Sequence, residues 1–236
     1  MPSFLIRSIP NTLTCCNLLS GAIATKLAFD GSTTMALTFI IIGAVFDFFD
    51  GFSARLLHVS SPIGKELDSL ADDITFGLAP ASIAFMLMAD FNFCADGFAQ
   101  FLPYLAFLIA AFSALRLAKF NLDKRQTTSF IGLPTPANAL FWGAFAIGFR
   151  TYLLDAPLGL YIVLALVLLS SGLLVAEIPM FALKFKTFKW KDNSLRYIFL
   201  LTSLIIILLF HTIGIAIAIV WYILLSLLTQ KKQEVK

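Results

Sequence analysis

The chain alternates between long apolar runs and short polar connections, and the length of each run predicts what it becomes. A helix rises about 1.5 Å per residue, so crossing a hydrocarbon layer of roughly 30 Å takes about 20 apolar residues. Runs of that kind are predicted at about 9–29, 33–57, 66–90, 99–121, 134–154 and 157–180. The stretch from Leu195 to Thr229 is too long for one crossing, and a break at His211-Thr212-Ile213-Gly214 divides it into about 195–211 and 213–229. The pattern predicts an all-α polytopic membrane protein of about eight transmembrane helices. The longest polar connections, about 122–133 and 182–194, are too short to form an extramembrane domain, and no repeat or low-complexity linker interrupts the chain. Residues 1–236 are therefore expected to form a single integral membrane domain.

Composition agrees with the pattern. Of 236 residues, 59% are hydrophobic and only 13% are charged, too little charge to cover a soluble domain of this size. The net charge of +3 matters less than its placement. Arg7, Lys65, Lys124, Arg125, Lys184, Lys186, Lys189, Lys191, Arg196, Lys231, Lys232 and Lys236 fall on one side of the eight-span arrangement. The opposite loops, near Asp30, Asp90, Asp96 and Asp155, hold Arg150 as their basic residue. The positive-inside rule then places both termini in the cytoplasm. Basic residues confined to short loops argue against nucleic acid as a partner. Arg7 ahead of an apolar run is compatible with a signal peptide, but Asn11, Thr14 and Asn17 within that run, and its extension to Phe29, favour a retained helix. Cys15, Cys16 and Cys94 have no metal-ligand or redox spacing and are read as packing residues.

Chemistry concentrates where the second run gives way to the third. Asp47, Asp50, Gly51, Ala54 and Arg55 close the second, and Gly64, Asp68 and Asp72 open the third. On a helix, Asp47 and Asp50 share a face, as do Asp68 and Asp72. A turn at Gly64 is expected to make the two helices antiparallel, so that both pairs converge near the cytoplasmic surface. Gly51 and Ala54 would then form a small-residue slot bordered by carboxylates and the Arg55 guanidinium. Each aspartate at a helix centre costs roughly 2.5–3.5 kcal/mol on insertion scales. Four unpaired ones could cost on the order of 10 kcal/mol, and Arg55 can neutralise only one. Divalent cations would neutralise the rest, and clustered carboxylates suit magnesium or manganese. An interfacial charged turn, or carboxylates serving ion-coupled transport, would leave the Gly and Ala spacing unexplained.

These residues resemble the signature of the CDP-alcohol phosphatidyltransferase family, D-x2-D-G-x2-A-R-x8-G-x3-D-x3-D, and fill every fixed position of it. The resemblance covers about the first six spans. It implies a six-helix core over about 9–181, followed here by a C-terminal helix pair over about 194–229, and usually a homodimer. It also implies two metal ions held by Asp47, Asp50, Asp68 and Asp72, with Asp72 as general base. Gly51, Ala54 and Arg55 match the positions that accommodate the nucleotide and phosphates of CDP-diacylglycerol. Asp73 matches no signature position and is expected to be solvated or to support its neighbours.

Three further segments narrow the acceptor. Phe76-Gly77-Leu78-Ala79-Pro80-Ala81, Arg116-Leu-Ala-Lys119-Phe-Asn121 and Gly132-Leu-Pro134-Thr-Pro136-Ala137 resemble the serine-using branch of the family, with Lys119 where arginine is usual. Pro10, Asn11, Thr14, Asn17 and Gly21 also fit that branch. L-serine brings a carboxylate, and the Arg116 guanidinium is the candidate to pair with both its oxygens, unless it is a snorkelling anchor. Asn121 is a candidate acceptor contact or a helix cap. Glu177 has no assigned role beyond an interfacial ion pair with Lys184 or another loop base. The resemblance implies transfer of a phosphatidyl group from CDP-diacylglycerol to L-serine at a bacterial inner membrane. The alternatives are a same-family enzyme acting on inositol phosphate, glycerol phosphate or an archaeal lipid, an ion-coupled transporter, and a membrane scaffold.

Overall fold

The computed structural model describes residues 4–59, 61–91, 97–123, 129–183 and 189–230. Cys94, Asp96, Lys124, Arg125, Lys184, Lys186, Lys231, Lys232 and Lys236, named above, lie outside them. Helix α1 spans Phe4–Phe29 and α2 spans Thr33–Leu56. Helix α3, Pro62–Asp72, runs without interruption into a π-helical segment, Asp73–Leu78, and then α4, Ala79–Ala89. A 3₁₀ segment, Gly97–Phe107, leads into α5, Leu108–Leu122. Strand β1 (Ser129–Ile131) precedes α6 (Thr135–Asp155) and α7 (Gly159–Val175), and strand β2 (Pro179–Phe181) precedes α8 (Trp190–Gln230).

Among the described residues, five helical stretches are long and apolar enough to cross a membrane: Ser8–Phe29, Thr33–Leu56, Pro62–Ala89, Ala99–Leu122 and Asn193–Thr229. Helix α7 is a shorter apolar helix. Large apolar side chains such as Phe48, Leu70, Tyr152, Leu208 and Leu209 point outward. Lipid solvates such a surface and water does not. The chain is an integral membrane protein built of helices.

The expected break in the last apolar run is a reversal. The His211 backbone leaves the helix, at φ 51° and ψ −127°, and the two limbs of α8 fold back on each other. Trp221 Nε1 donates to Thr202 Oγ1 at 3.0 Å, and the Phe199 and Tyr222 rings lie 5.6 Å apart. Gly214 permits the close approach, since a Cβ there would meet the Ile206 carbonyl oxygen at 2.6 Å.

Two features were not expected from periodicity. The sixth run, expected over 157–180, stops being helical at Val175, and its end joins β1–β2, an antiparallel pair with Phe130 opposite Met180. Gly132 N donates to Ile178 O at 2.9 Å and Leu133 N to Leu173 O at 2.8 Å, which ties the connection after α5 to the one after α7. The second is the π segment. Pro80, in the first turn of α4, has no N–H for the preceding turn, and the helical ladder widens just before it. Thr75 Oγ1 in this segment donates to Asn17 O at 3.0 Å, fixing the segment against α1. Behind it, Phe76, Ile40, Ile83, Trp142, Val163 and Val167 form the buried core, and Trp142 Nε1 donates to Ser170 Oγ at 3.2 Å.

Candidate active site

Helices α2 and α3 present their carboxylates to each other across a short connection. Ser61 is extended and caps α3, its Oγ accepting from Gly64 N at 2.9 Å, with Pro62 in the first helical turn. Gly64 therefore lies within the first turn of α3 rather than forming the connection. A Cβ at Gly64 would come within 3.0 Å of Asn11 Oδ1, so its smallness admits α1 to the site.

One carboxylate oxygen from each of Asp47, Asp50 and Asp68 lies within 4.8 Å of the others. Asp50 is buried, and Asp68 Oδ1 is buried with no hydrogen-bond partner among the described residues. Three carboxylates this close repel one another unless a cation lies between them. The donor set is all oxygen and anionic, which fits a hard divalent ion. Asp72 lies outside this trio, one helical turn beyond Asp68. Its Oδ1 accepts from Asn17 Nδ2 at 3.1 Å, and it feels the charges of Asp47, Asp68 and Asp50.

Helix α1 holds the acidic residues in place. Thr14 Oγ1 donates to Asp50 Oδ2 at 2.6 Å. Asn17 is fully buried, and its Oδ1 has no partner among the described residues. A Cβ at Gly43 would lie 2.9 Å from that oxygen, so α1 and α2 meet closely behind the carboxylates. Thr14 and Asn17 were legible in the sequence as polar residues in an apolar run, but their partners were not.

Next to the trio, α2 offers Gly51, with Ala54 and Arg55 a turn beyond. A Cβ at Gly51 would meet only the Arg55 guanidinium, at 3.6 Å from Nη1 and 4.0 Å from Nη2. No described residue of another helix comes within 4 Å of that position, so packing among the described residues does not explain the glycine. Arg55 is exposed at the end of α2.

The other side of the site is built by α5. Arg116 is 7% exposed, which excludes the snorkelling reading. Its guanidinium carbon lies 5.7 Å from the Phe120 ring centroid and 6.0 Å from that of Phe130 on β1. Nη1 donates to Thr135 Oγ1 at 3.4 Å, while Nε has no partner among the described residues. The guanidinium feels the charge of Asp72. Asn121 Nδ2 donates to Ser69 Oγ at 2.7 Å, and the Asn121 backbone carbonyl accepts from Lys65 Nζ at 3.1 Å. Asn121 thus joins α5 to α3, and its amide nitrogen is already engaged. Asp73, expected to be solvated or to support its neighbours, is half-buried, and its Oδ1 is buried without a hydrogen-bond partner among the described residues. Glu177 is exposed beside β2.

Residues 7–183 match the family model described as CDP-alcohol phosphatidyltransferase. The chain is similar to the CDP-diacylglycerol–serine O-phosphatidyltransferase of Bacillus subtilis, 36% identical over 132 residues, covering 54% of this chain and 69% of that protein. Against the Helicobacter pylori protein of the same name, identity is 35% over 142 residues, 59% of this chain and 57% of that one. Against the Methanocaldococcus jannaschii protein of that name, it is 31% over 163 residues, 69% of this chain and 72% of that one.

Proposed function

Since the chain belongs to the CDP-alcohol phosphatidyltransferase family, we propose that it transfers a phosphatidyl group from CDP-diacylglycerol to L-serine, giving phosphatidylserine and CMP. The observation that carries this reading is the approach of Asp47, Asp50 and Asp68 to within 4.8 Å beside the open face of Gly51. The relatives named above bear the serine-transferase name, which favours serine over a phosphorylated acceptor.

Asp47, Asp50, Asp68 and Asp72 would hold magnesium or manganese, two ions by family resemblance. Such ions neutralise pyrophosphate charge and polarise the phosphorus to be attacked. Gly51 and Ala54 leave room for the cytidine and its phosphates against α2, and Arg55 pairs with a phosphate oxygen at the rim. Arg116 forks onto the serine carboxylate and orients the hydroxyl toward Asp72. Asp72 removes the hydroxyl proton. The serine oxygen bonds to the phosphorus that carries diacylglycerol, and the bond from that phosphorus to the bridging oxygen breaks, so CMP leaves with the bridging oxygen. Asn17 and Thr14 hold Asp72 and Asp50 in position, and Asn121 fixes the spacing of α3 and α5. Through that spacing Asn121 acts on acceptor binding only weakly and indirectly.

The protein acts as a single integral membrane domain, as a homodimer in a bacterial inner membrane, with both termini and the site on the cytoplasmic side. The basic loop residues of that side support the orientation, and the nucleotide is a cytoplasmic, water-soluble group. Purified protein with CDP-diacylglycerol should release CMP only when L-serine and a divalent ion are both supplied. Turnover that persists in chelator, or that ignores serine, would remove this reading.

A further inference from the structure

Helix α5 lies antiparallel against α3 and the π segment, and two contacts set its register. Asn121 Nδ2 donates to Ser69 Oγ at 2.7 Å. Ser113 abuts Gly77, where an added Cβ would lie 3.0 Å from Ser113 Cβ. Asp73 is midway between Ser69 and Gly77 in sequence and shares their helical face, so it faces α5 near the level of Arg116. The same added Cβ on Gly77 would come within 2.6 Å of Asp73 Oδ1, so only glycine leaves that oxygen its place.

Several buried polar atoms on this seam have no hydrogen-bond partner among the described residues: Asp73 Oδ1, Ser113 Oγ, Arg116 Nε and both amide atoms of Asn138. Ser113 and Asn138 are fully buried. Asn138 joins the seam through Thr135, one turn before it on α6, whose Oγ1 receives Arg116 Nη1. Buried polar groups are nearly always paired. A carboxylate, a guanidinium, a hydroxyl and an amide left open together match a small ligand that bears both charges. An anion alone would suit Arg116 and be repelled by Asp73. A cation alone would do the reverse.

We infer that Asp73 receives the α-ammonium group of the amino-acid acceptor while Arg116 holds its carboxylate, so that the pair selects a zwitterionic alcohol. The inference rests on the serine reading above and adds a specificity residue to it. Asp72 at the hydroxyl, Asp73 at the ammonium and Arg116 at the carboxylate give three points of attachment, enough to distinguish L-serine from D-serine. Ser113 and Asn138 supply the remaining hydrogen bonds along the seam.

The test is Asp73→Asn, which keeps the shape and removes the charge, assayed in full-length protein with saturating divalent ion. The readouts are the KM for L-serine, the KM for CDP-diacylglycerol, and the Ki of 3-hydroxypropanoate, which has the hydroxyl and carboxylate but no ammonium. Loss of a charge-assisted hydrogen bond should raise the L-serine KM about ten- to hundredfold relative to the Ki of 3-hydroxypropanoate. The preference for L-serine over D-serine should shrink in parallel. An L-serine KM that stays at the wild-type value, or that rises only in step with the Ki, overturns the inference. If Asp73→Asn does not fold, Asp73→Ser must give the same acceptor-specific change, and its absence there is equally fatal. Wild-type protein that releases no CMP with serine but does so with another alcohol would instead overturn the serine reading, and this inference with it.

Discussion

The two sides of the site solve opposite problems in charge. On α2 and α3, Asp47, Asp50 and Asp68 bring three carboxylate oxygens within 4.8 Å, with Asp72 one turn away. On α5, the Arg116 guanidinium lies against the Phe120 and Phe130 rings. Crowded anions repel one another, so the first side favours a cation between them. A buried guanidinium with an open Nε favours an anion, so the second side has the opposite preference. In the proposed reaction this difference assigns the acidic side to the pyrophosphate and the transfer step, and the cationic side to acceptor choice. Substitutions on the two sides should therefore separate in kinetics.

The largest effect belongs to the acidic side. Asp47→Asn, Asp68→Asn and Asp72→Asn should each lower CMP release by roughly a hundred- to thousandfold or more, as loss of a group stabilising transition-state charge does. The folded protein should survive, since none of these side chains packs the core. Detergent-solubilised thermal unfolding and CMP assays test both halves of that statement, and substantial residual turnover in any variant would detach that residue from the chemistry.

Next comes Arg116→Lys, which keeps the charge and loses the fork. The KM for L-serine should rise roughly ten- to hundredfold, with a much smaller change for CDP-diacylglycerol. Residual use of ethanolamine, which has no carboxylate, should be unaffected. Equal changes for both substrates would erase the division between the two sides and leave Arg116 as a packing residue.

Gly51→Leu probes the donor slot from the other direction. A leucine there favours the helix, and its Cβ meets only Arg55 among the described residues, so stability should hold while the KM for CDP-diacylglycerol rises about tenfold, or about 1.4 kcal/mol. Normal donor binding by this variant would move the slot elsewhere. The smallest effect is expected from Asn121→Ala, which removes the hydrogen bond to Ser69. It should cost about 0.5–1.5 kcal/mol of stability in a denaturation curve and change neither KM more than about threefold. A large serine-specific KM change instead would make Asn121 a direct contact.

Much of this protein was determined by sequence alone, because the relevant information is local. Crossing a bilayer requires runs of a given length, and a helix repeats its faces every three or four residues. The helical membrane architecture, the break near His211 and the pairing of Asp47 with Asp50 and of Asp68 with Asp72 follow from spacing within single segments. Thr14, Asn17 and Arg116 were visible as polar residues in apolar surroundings, but their partners were not. Asn17 meets Asp72, Asn121 meets Ser69 and β1 meets β2 because distant helices pack at one particular register. That register depends on where small residues such as Gly21, Gly43, Gly64 and Gly77 let backbones approach. Only the tertiary structure decided that Arg116 is enclosed rather than snorkelling, and that one carboxylate oxygen of the half-buried Asp73 is shut away from solvent, since burial is a property of neighbours brought together from separate parts of the chain.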